Sequence, residues 1–220
     1  MKIYAEFPIT GDRASIPLIW PDSCWLLSDR PLYIPDFARE FVAIPALACK
    51  VGRLGKCVAP RFASRYAGSW TAALIILPAD ALRCLSEGVM PMCSDWCFDN
   101  SLVIGDWQAE PLRHLDVSVE PADMWVPATL SVLTESASAA LMQSLCNLSE
   151  HNTLKMGDLI LAPLPVPPIP LAEGMNVAIR AMDHPQEPDS PSETIPGSLS
   201  SSAPSSSSST PRPILTTRFK

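Results

Sequence analysis

The apolar residues of this chain come in short, punctuated runs, and that pattern bounds what it can fold into. Runs such as FVAIPALACKV (Phe41–Val51) are broken off by Gly, Pro or charged residues before they reach the length of a typical helix. Strands are predicted over residues 17–20, 24–27, 41–51, 70–77, 102–104, 126–133, 157–162 and 175–182. Three short helices interleave with them. Residues 60–67 place Phe62 and Tyr66 on one face, and residues 78–87 open with a proline suited to a first helical turn. The third, 138–149, carries Leu141, Leu145 and Leu148 on one stripe. There is no internal repeat. The expected class is α+β, mainly β.

Composition narrows the reading further. At 220 residues, 47% of them hydrophobic and six of them tryptophan, the chain can bury one sizeable core. A formal charge of −7 without a basic patch argues against nucleic acid, whose phosphates call for clustered Lys and Arg. The opening MKIYAEFPITGDRAS lacks the apolar run of a secretory signal, and no stretch is long enough to span a membrane. The seven cysteines (Cys24, Cys49, Cys57, Cys84, Cys93, Cys97 and Cys146) are odd in number and irregularly spaced, which fits reduced, buried thiols in a cytoplasmic protein. Composition changes sharply near Asp183, where Ser and Pro take over. A domain over 1–183 followed by a disordered tail over 184–220 is therefore expected.

Four blocks carry a resemblance. Residues 21–56 read PDSCWLLSDRPLYIPDFAREFVAIPALACKVGRLGK: a PDS turn, a YIPDF segment with Asp36, and a long strand closed by Gly55-Lys56. Then come ASRYAGSWTAALIILPADALR, GVMPMCSDWCFDNSLVIG and LKMGDLILAPLP. In order and spacing, from about residue 19 to 182, these resemble the fumarylacetoacetate hydrolase family. The resemblance implies a mixed β-roll or β-sandwich with a few packing helices. It also implies Mg²⁺- or Mn²⁺-dependent cleavage of acylpyruvate-like substrates, or processing of related 2-keto acids. Dimers are common in the family, so a homodimer or a heterodimer with an active paralogue is the partner it suggests.

The resemblance also exposes what has changed. The family holds its metal with two glutamates two residues apart on the long strand and an aspartate from a neighbouring strand. The matching positions here are Ile44, Ala46 and Ile75. Trp96 stands where an active-site lysine is expected, Ala79 replaces an arginine, and the Ala162-Pro163-Leu164 run replaces a polar Thr-Gly-Thr loop. Asp36, Asp80, Asp99 and Asp158 are retained from the motifs. The N-terminal EFPITGDRASIP lacks the family's Arg-Asn-Tyr element and the histidine that follows it.

Those changes matter because a hard dication needs oxygen ligands, and residues i and i+2 of a strand share one face. The metal would act as a Lewis acid on the keto oxygens. Residues 41–51 contain no acidic residue, so no shift of register restores the pair. Pro45, between the two altered positions, removes a ladder donor and predicts a bulged or edge strand. The reading is a catalytically degenerate pseudoenzyme with a structural or regulatory role and no bound cofactor. For Ile44, Ala46, Ile75 and Trp96 it competes with plain core packing.

Two alternatives stay open. One is an active hydrolase or isomerase with a relocated or partner-completed Mg/Mn site using Asp36, Glu40 or Asp99. The other is an interaction module working through the Ser/Pro tail. Asp99 and Asp158 read either as remnants of a pocket wall or as turn-stabilising carboxylates. Cys93 and Cys97 form a C-x3-C pair around Asp95 that lacks the further ligands of a zinc site, and so reads as buried thiols. His114 is expected to be exposed in a polar connection, and neither His151 nor His184 has a nucleophile beside it. Residues 162–174 read as a stiff polyproline-like loop.

Overall fold

The structure is a computed structural model that describes residues 1–11, 15–121, 129–182 and 213–220. Its strands in chain order are β1 (Lys2–Pro8), β2 (Ser15–Pro21), β3 (Trp25–Leu27), β4 (Phe41–Val51), β5 (Ala67–Pro78), β6 (Leu102–Ile104), β7 (His114–Glu120), β8 (Thr129–Leu133), β9 (Leu159–Pro163), β10 (Ile169–Pro170), β11 (Asn176–Ala181) and β12 (Leu215–Arg218). The α-helices are α1 (Ala79–Ser86) and α2 (Glu135–His151), and Pro60–Tyr66 is a 3₁₀ helix. No described helix is long and apolar enough to cross a membrane.

The strands form two sheets. The larger runs β2-β1-β9-β4-β5-β6-β3, with β10 also paired to β4. It is mixed, because β1 pairs β9 and β3 pairs β6 in parallel while the other neighbours are antiparallel. The smaller is antiparallel, in the order β12-β11-β7-β8.

β4 and β5 form the longest ladder, from Phe41 opposite Pro78 to Val51 opposite Ala67. Both faces of this pair are covered, so both strands read as nearly continuous apolar runs. Alternation sends Ala43, Leu47, Ala72, Leu74 and Ile76 to the face shared with α2 and the small sheet. Leu141, Leu145 and Leu148 of α2 pack there, with Val117, Val119, Val177 and Ile179. The opposite face carries Ile44, Ala46, Ala48, Ala73, Ile75 and Leu77, closed over by Phe7, Leu18, Trp20, Leu85 and Trp96.

The mainly β, α+β architecture expected from the sequence is what the structure has. Several particulars differ. Pro45 does not mark an edge or a bulge: β4 is central, and its register shift lies between Lys50 and Val51. The proline fits because it falls between the stretches paired to β10 and to β9, where its carbonyl accepts the Leu164 N–H at 2.8 Å. The strand itself keeps its predicted bounds, Phe41–Val51. Residues 162–174 are not one loop, since 162–163 finish β9 and 169–170 form β10.

The expected tail needs the largest correction. Residues 213–220 carry β12, which pairs with β11, and Leu215 and Phe219 are fully buried. Leu215, Thr217 and Phe219 alternate inwards, so a short segment flanked by Ser and Pro still fills the core. The remainder of that expected tail, 184–212, lies outside the described residues, as do residues 126–128 of the predicted strand 126–133.

Candidate functional site

Two places on the large sheet come into question. The first is the face of β4 and β5 that bears the altered positions. Ile44 stands opposite Ile75, and Ala46 opposite Ala73, so all four side chains share one side of the ladder. Ile44 is 5% exposed, Ala46 and Ile75 0%, and Trp96 7%. Trp96 is fixed by its neighbour. The Trp20 indole meets it edge-on, with ring centroids 5.2 Å apart, and donates its Nε1 hydrogen to the Trp96 carbonyl at 2.7 Å.

Beside this cluster lies a narrow cavity of about 170 Å³, lined by Phe7, Ile44, Leu82, Leu85, Leu164 and Val166 among others. The residues at the altered positions offer no oxygen donor. A dication placed among them would be desolvated without compensation, which is strongly unfavourable. The side chains there do not fit a Mg²⁺ or Mn²⁺ ion.

The second place is a cleft of about 830 Å³ bounded by residues 36–40, 78–81 and Asp95. Asp36, Arg39, Glu40, Asp80 and Asp95 are among the residues that line it. The Ala79 N–H bonds the Glu40 carbonyl at 3.0 Å, which ties the start of α1 to the segment before β4. Two of the acids have local partners. Asp80 pairs with Arg83 at 2.9 Å on the exposed side of α1, and Asp95 Oδ2 accepts the Met92 N–H at 3.1 Å. Among the described residues no group of three or more His, Cys, Asp or Glu lies close enough together to hold a metal. No local motif marks Asp95 for this cleft, since only the chain path through the 93–95 turn brings it there.

The other retained aspartates lie apart. Asp99 is exposed and does not line the cleft. Asp158 is 1% exposed, and its oxygens accept the Lys2 and Lys155 N–H groups, each at 2.9 Å. It closes the turn before β9 and pins that turn to β1, so its work is structural.

The remaining sequence candidates are also resolved. His114 is buried, not exposed: it begins β7, with Nε2 4.0 Å from Asp116 Oδ1. All seven cysteines are free thiols, but they are not uniformly buried. Cys93 and Cys57 are exposed, while Cys97 is half-buried with its Sγ 3.8 Å from that of Cys24. Burial, then the neighbouring Cys24 and Cys93, pushes the Cys97 thiol up to about 12. Cys24 is the partner that the C-x3-C spacing could not reveal.

No protein-family model matches the sequence, and no curated protein matches it. Solved structures do. A fumarylpyruvate hydrolase from Pseudomonas aeruginosa, in complex with Mn²⁺ and pyruvate, superposes with a TM-score of 0.67 at 16% identity, covering 81% of this chain and 84% of that one. A Yersinia pestis CO92 protein placed provisionally in the fumarylacetoacetate hydrolase family gives 0.70 at 15% identity, covering 83% and 89%. The fold is that of the fumarylacetoacetate hydrolase family. A 2-hydroxyhepta-2,4-diene-1,7-dioate isomerase from Mycobacterium marinum shares this fumarylacetoacetate hydrolase fold, with a TM-score of 0.69 at 19% identity over 83% of this chain and 70% of that one.

Proposed function

We propose that this chain is a fumarylacetoacetate hydrolase-family protein that has lost metal-dependent hydrolysis and serves a structural or regulatory role. The observation that carries the proposal is the Ile44–Ile75 face. The three positions matched to ligand carboxylates are hydrocarbon, closed to solvent and packed beneath Trp20 and Trp96. With that chemistry gone, pairing with a second copy or with an active paralogue in the cytoplasm is the role that suits the scaffold. The free thiols are consistent with a reducing compartment.

Thermal unfolding with and without Mg²⁺ or Mn²⁺ tests the loss of the metal site. A ligand that binds only the native state stabilises it, by about 2.7 kcal/mol at a hundredfold excess over Kd, and so raises the melting temperature. The midpoint should not move. A clear rise, reversed by EDTA, would overturn the proposal.

One observation favours a second reading. Asp36 and Glu40 line one roomy cleft, which Asp80 and Asp95 also border. An ion completed there by a partner chain's carboxylates would give EDTA-sensitive turnover of acylpyruvates. That turnover should vanish in an Asp36→Asn/Glu40→Gln variant that still folds.

A further inference from the structure

The end of the described chain is seated in the way a bound peptide is. β12 hydrogen-bonds along both edges. On one side it pairs with β11, from Asn176 opposite Arg218 to Ile179 opposite Leu215. On the other it meets residues 28–34. There the Asp29 N–H donates to the Thr216 carbonyl at 2.7 Å and the Leu32 N–H to that of Arg218 at 2.8 Å. The Lys220 N–H returns a bond to the Leu32 carbonyl at 2.9 Å, and the Thr216 N–H reaches Ser28 Oγ at 2.9 Å. Thr217 Oγ1 donates to the Arg30 carbonyl at 3.0 Å. Leu215, Thr217 and Phe219 point inwards and are buried, while Arg218 and Lys220 are exposed.

The covalent connection does not dictate the geometry of this seating. β11 and β12 are antiparallel neighbours, a relation that a hairpin loop of about two to five residues can close. Residues 183–212 are many times that length and are dominated by Ser and Pro. A connection of that length sets no register, so the strand is positioned by its own bonds and buried side chains, and the tether supplies only effective concentration.

We propose that the trough between β11 and residues 28–34 is a peptide-binding site of the strand-addition kind, which residues 213–220 occupy in cis as a releasable ligand. Main-chain bonds on both edges supply affinity for any extended peptide, and the inward pockets of Leu215, Thr217 and Phe219 supply selectivity. The ligand class is therefore an extended segment with apolar or small side chains at alternate positions and a bulky aromatic at the last of them.

The test uses the full chain with a protease recognition sequence inserted within residues 183–212, folded first and then cut to completion as judged by mass. The two pieces should co-elute, and circular dichroism should be unchanged. A fluorescent synthetic peptide of residues 210–220 should then enter the cut protein saturably, with the unlabelled peptide competing. Uncut protein should take up far less, because its tethered strand competes at high effective concentration. A peptide carrying Phe219→Ala should compete at least tenfold more weakly. Failure of the folded, cut protein to take up the peptide would overturn the proposal, and so would equal competition by the Phe219→Ala peptide. Unfolding on cutting would overturn it too, by making residues 213–220 an inseparable part of the core.

Discussion

Ile44 and Ile75 stand opposite each other in the β4–β5 ladder, and both are buried. A single carboxylate at either position would lie in hydrocarbon without a counter-charge. Ile75→Asp should therefore destabilise the chain by about 3–5 kcal/mol, the range seen when a buried charge is left without its partner. Urea unfolding measures this. A loss below about 1 kcal/mol would mean that the site admits water, and the account of a sealed face would fail.

Asp158 lends itself to the opposite substitution. Its two oxygens hold the N–H groups of Lys2 and Lys155 at a site closed to solvent. Hydrogen bonds to a charged acceptor contribute about 1.5–3 kcal/mol each. Asp158→Ala should cost at least about 2 kcal/mol in chemical unfolding, and Asp158→Asn clearly less, because the amide oxygen still accepts one bond. Equal losses in the two variants would point away from the turn-and-anchor role.

How much of this could be read in the sequence depended on where the ordering contacts come from. β4 and β5 were legible because strands buried on both faces are apolar at nearly every position. β7 is harder to read although HLDVSVE alternates cleanly, with Leu115, Val117 and Val119 inwards, because the Arg113-His114 pair reads as a polar connection. β12 could not be read locally at all. Its order comes from β11 and residues 28–34, both remote in sequence, and Ser and Pro dominate the stretch before it. The altered site positions were placed by resemblance, and their common burial follows from the pairing of Ile44 with Ile75. That Asp36, Glu40, Asp80 and Asp95 border one cleft depends on the folded path of three separate segments.

The thiols should divide by exposure. At pH 8 Cys57 and Cys93, both exposed, should react first with a disulfide reagent such as DTNB. Cys49 and Cys97 should lag until the chain unfolds, because burial pushes each thiol up to about 12. The same shifts set a pH dependence. Between pH 9 and 12 the unfolded chain releases protons that the folded chain keeps at these two thiols, so stability falls as pH rises through that window. Cys49→Ala should flatten part of the decline in unfolding free energy over that range. An undiminished slope would assign the decline to other groups.

Phe219 decides whether the C-terminal segment is part of the fold. Its side chain is fully buried among the residues that join the two sheets, and truncating a buried phenylalanine leaves a cavity as well as forfeiting transfer energy. Phe219→Ala should cost about 3–5 kcal/mol. Arg218, exposed on the same strand, supplies the control: Arg218→Ala should stay within about 0.5 kcal/mol. The consequence extends to truncation. Removing everything after residue 183 deletes β12 and leaves the β11 edge and residues 28–34 without their hydrogen-bond partners, so the product should be markedly less stable than the full chain. Excising only 184–212 and closing β11 to β12 with a short Asn-Gly turn should keep the stability of the parent, because the pairing itself is untouched. If the two deletions melt alike, the strand contributes nothing to the native state.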